Sequence, residues 1–283
     1  LVDADFVLAE RQIREKRRIG NGLAGLLAAL MIGLILFFLL LPTLIVIPMS
    51  LGTSPYIEFP PQGLTFRWYE QYFSDPDWMA ATWFSIRIAV ATTFSATVIG
   101  TLAAVALVRG RLPGKEFLQA LTLAPLIVPH IVIAVALYLF FAPLGLVGSF
   151  YGFVIAHSML AVPYVVITVS AALQRFDANL ELAALNCGAT RIQAFFHIVL
   201  PNIMPGVAAG AVFAFLASFD EATVAFFLSG MEGKTITRKM FEDIDFNLTP
   251  VIAAVSTVLT LVSLILMSTI EIARRRSEPG RQG

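Results

Sequence analysis

"ELAALNCGATRIQAFFHIVLP", residues 181–201, has a helix former's composition, one glycine in its middle and a proline at its end. The stretches on either side are apolar enough to cross a bilayer, so the segment reads as a short, half-polar helix-turn-helix set between two membrane spans. Asp177 or Asn179 is placed to cap a first helix over 176–188, which Leu180 through Leu185 favour, and Gly188 suits the left-handed conformation that ends one. Thr190 is placed to cap a second helix, in which Ile192, Phe195, Phe196 and Val199 recur at i, i+3, i+4 and i+7 as one apolar stripe. Pro201 marks where that helix stops or bends toward the next span. By pattern alone the segment is an amphipathic connector resting on a bilayer.

The rest of the chain fits that setting. Of its 283 residues 58% are hydrophobic and 13% charged, against roughly 45–50% and 25% in an average soluble domain. With a mean hydropathy of +0.83 this is an integral membrane chain. Nineteen basic and nineteen acidic residues cancel, so bulk charge points to no nucleic acid or acidic partner. Cys187 is the sole cysteine, and the histidines at 130, 157 and 197 have no zinc-site spacing, so neither a disulfide nor a metal site is read.

A transmembrane helix needs about 20 mostly apolar residues, because only a helix satisfies its own backbone in hydrocarbon. The charge-free runs yield six spans, near 23–49, 79–108, 117–141, 150–172, 204–228 and 249–271, the third and fourth parted by "APLGLVGS" at 142–149. The basic cluster Arg11, Arg14, Lys16, Arg17 and Arg18 resembles the start of a signal peptide, but 39 uncharged residues follow it, far beyond an h-region of about 7–15. That run is the first span. The predicted division is a cytoplasmic segment 1–22, one transmembrane domain 23–272 containing the segment 176–201, and a cytoplasmic tail 273–283. Placing both termini inside puts fourteen of the nineteen Lys and Arg residues in cytoplasmic segments. Trp68, Trp78 and Trp83 then fall in or beside the first outer segment as interfacial anchors, where "FRWYEQYF" (66–73) is predicted to form a helix lying along the membrane surface.

In its spelling, the segment 181–201 resembles the cytoplasmic coupling motif in the membrane subunits of binding-protein-dependent ABC importers: Glu-Ala-Ala, three residues, Gly, nine residues, Ile, one residue, Leu-Pro. Ala183, Ala184, Gly188, Ile198, Leu200 and Pro201 are in register. Leu182 stands where the pattern has Glu, with Glu181 just before it. Neighbouring helical residues point about 100° apart, so Glu181 does not inherit that carboxylate's ion pair by position alone. "FPPQGLTFRWYEQYF", "SFDEATVAFFLSG" and "MFEDIDFNLTPVIAAVST" extend the resemblance to the second permease component of spermidine/putrescine-type importers.

The resemblance implies an all-α fold like a type I ABC importer permease, six spans with a coupling helix between spans four and five, in a bacterial inner membrane. It also implies a second, paralogous permease subunit, two cytoplasmic ATPases that bind ATP and Mg, and a periplasmic solute-binding protein, with no cofactor in this chain. ATPase coupling would fall to Glu181, Ala183, Ala184, Gly188, Phe195, Ile198, Leu200 and Pro201. An amphipathic knuckle of this kind docks apolar side chains into a groove on a partner, and small residues at 183, 184 and 188 keep it stiff.

Other features carry less. "SGMEGKT" (229–235) contains Gly-Lys-Thr, but a phosphate-cradling loop needs a glycine where Leu228 stands, so the chain has no ATP site of its own. Asp220 and Glu221 lie inside span five, where a carboxylate costs on the order of 2.5–3.5 kcal/mol near a helix centre. With Thr223 they are read as lining a solute pathway; alternatively one carboxylate pairs with Arg87 or caps a broken helix, or both are exposed near the outer mouth. Arg87 is read as snorkelling at the outer end of span two, and His130 and His157 as satisfied hydrogen-bonders rather than proton carriers. "EDID" (242–245) is a solvated turn or a contact for the binding protein. No catalytic constellation is present, so the chain is not read as an enzyme. The leading reading is a permease subunit for a small organic solute, polyamines first; the alternative is a stand-alone proton- or sodium-coupled carrier using Asp220 or Glu221.

Overall fold

The computed structural model describes the backbone of residues 2–230, 233–246 and 248–277 and the side chains of 25–230, 233–245 and 248–269. Every regular element among them is helical, as a chain this poor in polar groups requires if its backbone is to bond within itself. The helices are α1 (Val2–Met49), α2 (Arg67–Ser74), α3 (Pro76–Arg109), α4 (Lys115–Ile127), α5 (His130–Phe141), α6 (Phe150–Arg175), α7 (Ala178–Asn186), α8 (Arg191–Ala194), α9 (Leu200–Phe219), α10 (Thr223–Leu228), α11 (Ile236–Phe246) and α12 (Pro250–Ser277). Local chemistry sets the starts. Asp75 caps α3 by accepting from the Asp77 and Trp78 N–H groups, with Pro76 in the first turn, and Ser149 caps α6 through the Gly152 N–H.

Five helical stretches are long and apolar enough to span a membrane: Gly25–Met49, Pro76–Arg109, Phe150–Arg175, Arg191–Phe219 and Pro250–Thr269. The sixth expected crossing, 117–141, is not straight. Lys115–Ile127 and His130–Leu144 meet at 101°. Pro129 supplies no N–H and drives Val128 into extended geometry (φ −72°, ψ 132°), which ends α4. The fifth span also departs from 204–228: it starts at Arg191, stops at Phe219 and resumes as the short α10.

Pro201 does not end the helix, which continues from Arg191 to Phe219. The preceding residues Phe195–Val199 form a π turn, in which the Leu200 N–H reaches back to the Phe195 carbonyl. The widened turn seats the proline ring, and the Asn202 side-chain amide donates to the Ile198 carbonyl at 2.7 Å. Residues 191–219 therefore run on as one continuous helix from the knuckle into the bundle.

The bundle centre is α3, α6 and α9, packed through Ala96, Ala104, Val165, Val169, Ile203 and Ala214, all buried. Small residues set the approach of α9 to α6. A Cβ at Gly206 would stand 2.5 Å from the Ala172 Cβ, and one at Gly210 would stand 2.5 Å from the Thr168 hydroxyl. The two glycines lie one helical turn apart and present backbone rather than side chain to α6. A second cluster joins α5, α6 and α10 through Ile133, Phe153, Leu160 and Val224. A third gathers Trp68, Tyr72, Trp78, Phe219, Ile236 and Val255.

That third cluster corrects the reading of the tryptophans. α2 forms where expected, but Trp68 and Trp78 are buried against the bundle and only Trp83 is exposed. Trp68 donates its indole N–H to the Gly52 carbonyl at 2.6 Å, so it anchors the loop rather than an interface. "EDID" is also not a turn: it lies in α11, where Glu242 pairs with Lys234 and Arg238, and Asp243 with Lys239.

Candidate functional site

The breaks in the third and fifth spans meet. Phe219 is the last residue of α9; Asp220 closes the helix with its N–H on the Leu216 carbonyl, and the chain turns through Glu221 and Ala222. Glu221, one position before the Ala222 N-cap, accepts from the Val224 N–H in the first turn of α10 at 2.9 Å. Its other carboxylate oxygen lies 3.0 Å from the His130 Nδ1, at the start of α5. The Thr237 hydroxyl, from α11, donates to the Glu221 backbone carbonyl at 3.0 Å. Glu221 is 7% exposed, and a carboxylate at that depth persists because it is paired and hydrogen-bonded.

Asp220 differs from its neighbour. It is exposed, and it lines a cavity of about 1030 Å³ together with His130, Tyr164, Phe213, Thr223, Phe241 and Thr260. The three residues expected along a pathway thus share one cavity wall: Asp220 exposed, Glu221 buried behind it and Thr223 half-buried. Small-molecule sites of about 300–1,000 Å³ combine apolar and aromatic walls with a few convergent polar groups, and this cavity has that character.

The pairing of Glu221 with Arg87 does not form. Arg87 is exposed and lies 5.9 Å from the Phe84 ring centroid. The partner is His130, which sequence reading took for a solitary hydrogen-bonder. The available signal was its position directly after the helix-breaking Pro129. His157 is fully buried and bonds through Nδ1 to the Ser218 hydroxyl and carbonyl at 2.9 and 3.1 Å, while its Nε2 has no partner. The Gly-Lys-Thr stretch holds no phosphate cradle among its described residues, 229–230 and 233–235. Gly233 packs against Phe84, and Lys234 is paired to Glu242 at 2.8 Å.

At the other end of α9 the segment 176–201 folds as a knuckle. Asp177 caps α7 through the Asn179 N–H at 2.9 Å, Gly188 takes φ +88°, and Thr190 and Gln193 form a reciprocal capping box at the start of α8. Ala183, Gly188 and Pro201 are exposed, while Ala184, Phe195, Ile198 and Leu200 are half-buried. Phe195 and Leu200 pack inward against the central cluster, so of the apolar stripe only Ile192 and Phe196 face outward, 72% and 58% exposed. Glu181 faces Arg109, at the end of α3, and pairs with it. Sequence reading missed that partner, which lies 72 positions away with no local signal.

A family profile described as "Binding-protein-dependent transport system inner membrane component" matches residues 96–279. The spermidine/putrescine transport system permease protein PotC of Escherichia coli (strain K12) is 32% identical over 247 residues, covering 87% of this chain and 93% of PotC. The putrescine transport system permease protein PotI of the same strain is 32% identical over 229 residues, 78% of this chain and 81% of PotI. Among solved structures, a bacterial ABC transporter involved in the import of the acidic polysaccharide alginate superposes with a TM-score of 0.73 at 16% identity, over 89% of this chain and 96% of that one.

Proposed function

The chain belongs to the binding-protein-dependent transport system inner membrane components, and from that premise we propose what its site carries: as the permease subunit of an ABC importer, it passes a small organic amine, polyamines first, along the cavity beside Asp220. It is a multi-pass protein of the inner membrane. The observation that carries the solute reading is the break at 220–222, which turns one carboxylate into the cavity and holds the other behind it against His130.

A cation leaving water for this cavity loses hydration. In this reading Asp220, the Thr223 hydroxyl and the aromatic side chains of Tyr164, Phe213 and Phe241, all lining the cavity, replace it. Relatives that are permease subunits for spermidine and putrescine support an amine over other solutes and support an importer over a proton- or sodium-coupled carrier.

In the proposed assembly the other half of the pathway comes from a second permease subunit, a paralogous chain. A periplasmic binding protein delivers solute at the end bearing α2 and α11. Two ATPases, which bind ATP and Mg, grip the knuckle at 176–201 from the cytoplasm, where both termini also lie. This chain has no ATP chemistry of its own. Closure of the ATPases moves the knuckle, and the unbroken helix from Arg191 to Phe219 carries that movement to the site at Asp220.

The test is uptake of radiolabelled spermidine and putrescine into vesicles holding the full complex. Asp220→Asn is expected to raise the apparent KM by about tenfold or more, the loss of one charge-assisted contact. Uptake unchanged in both Asp220→Asn and Glu221→Gln would sink the pathway.

A further inference from the structure

Arg109 closes α3, and Glu181 lies in the first turn of α7. Their side chains form an ion pair, 25% and 28% exposed. The Arg109 guanidinium also lies 4.9 Å from the ring centroid of Phe176. Phe176 ends α6 and packs against the cluster shared by α3, α6 and α9. Each placement is favoured locally: a cation sits at a helix C-terminus, an anion in a helix's first turn, and a guanidinium over an aromatic face.

The rest of α7 packs chiefly on α8 and the π turn, which belong to the same knuckle. The Arg109–Glu181 pair is therefore the polar tie from α7 to α3, beside the apolar packing of Phe195, Val199 and Leu200 on the central cluster. A carboxylate used this way does not face outward. Where the family pattern has its Glu stands Leu182, 55% exposed, and Leu180, Ile192 and Phe196 also present apolar surface, 47%, 72% and 58% exposed.

We propose that Arg109 is a positioning residue for coupling: with Glu181 and Phe176 it clamps the knuckle to the end of α3, so that a push on the knuckle moves α3 together with α6 and α9 as one body. The outward grip on the motor is left to apolar side chains. The proposal rests on the permease reading above, and it concerns an internal contact that reading does not contain. Without the clamp α7 is held to α3 only indirectly, through α8 and the π turn, and part of each stroke is lost as α7 swings relative to α3.

The test uses the full chain with its own Cys187, exposed on the knuckle, and a second cysteine introduced as Phe94→Cys at an exposed site on α3. Spin labels at the two sites report the distance between knuckle and α3. In the assembled complex that distance is expected to stay fixed between nucleotide-free and vanadate-trapped states. Adding Arg109→Ala is expected to broaden it and shift it by several ångströms on trapping, while uptake of spermidine per ATP hydrolysed falls several-fold. Arg109→Glu combined with Glu181→Arg is expected to restore a narrow, fixed distance. Either a parent distance that changes on trapping or an Arg109→Ala distribution identical to the parent's would overturn the clamp. A chain that recruits no ATPase sinks the permease reading instead; the same labels on the isolated chain then decide the clamp, because Arg109→Ala must still broaden the distribution.

Discussion

At Asp220 the backbone leaves the helix, and two adjacent carboxylates take different roles. Glu221 turns inward, where the Val224 N–H and His130 hold it; Asp220 stays in the cavity. Substitutions should separate the two. Glu221→Gln keeps an acceptor for the Val224 N–H and loses the charge that His130 faces, so the protein is expected to accumulate normally with altered uptake. Glu221→Ala removes that acceptor as well and leaves the buried Val224 N–H unpaired, a loss of about 1–3 kcal/mol, and is expected to lower the thermal midpoint and the amount of protein in the membrane. Thermal unfolding in detergent, read against the uptake of each variant, checks the pair; a Glu221→Gln midpoint as low as that of Glu221→Ala would contradict the assignment. At this scale the sequence marked the two acids, conspicuous amid apolar neighbours. It did not show which of them is free, because that depends on His130, brought alongside from another span.

The helices carry two designs that single residues do not. In the knuckle, Gly188 adopts φ +88° and an added Cβ would meet nothing within 4 Å, so only the backbone conformation is at stake. A non-glycine residue pays about 1–2 kcal/mol there, asparagine less than β-branched residues. Gly188→Val is therefore expected to leave insertion intact and to reduce uptake per ATP hydrolysed, with Gly188→Asn closer to the parent; equal, full uptake by both would show that the turn does not matter to coupling. Within the bundle, Gly210 meets α6 at Thr168 and Val165. Gly210→Leu must push α9 off α6, at about 1–3 kcal/mol for overpacking, and is expected to lower the thermal midpoint, while the same substitution at Gly25, which faces open space, is expected to leave it unchanged. The caps of the knuckle were readable because Asp177, Gly188 and Thr190 act on backbone groups two or three residues away. The run through Pro201 was not, since a π turn upstream of a proline leaves no mark in composition.

The whole molecule sets the cavity and the knuckle at opposite ends of one helix. The cavity lies where α5 and α10 begin after their breaks, the knuckle lies at the far end of α9, and the unbroken helix from 191 to 219 joins them. Orientation of this axis has a direct assay, because the only cysteine, Cys187, is exposed on the knuckle. A membrane-impermeant maleimide is expected to label Cys187 in inverted vesicles stripped of ATPase, to miss it in intact cells, and to be blocked when the ATPase is restored. Labelling from outside intact cells would reverse the topology. The chain by itself determined the all-helical membrane class, the approximate crossings and the local fold of the knuckle, because apolar length and caps act over a few residues of contiguous sequence. Only the tertiary structure decided that the third and fifth spans break beside one another, that Glu221 meets His130 and that Glu181 meets Arg109. Those meetings depend on the rotation and closeness of helices far apart in the chain, which side-chain packing sets and no local pattern records.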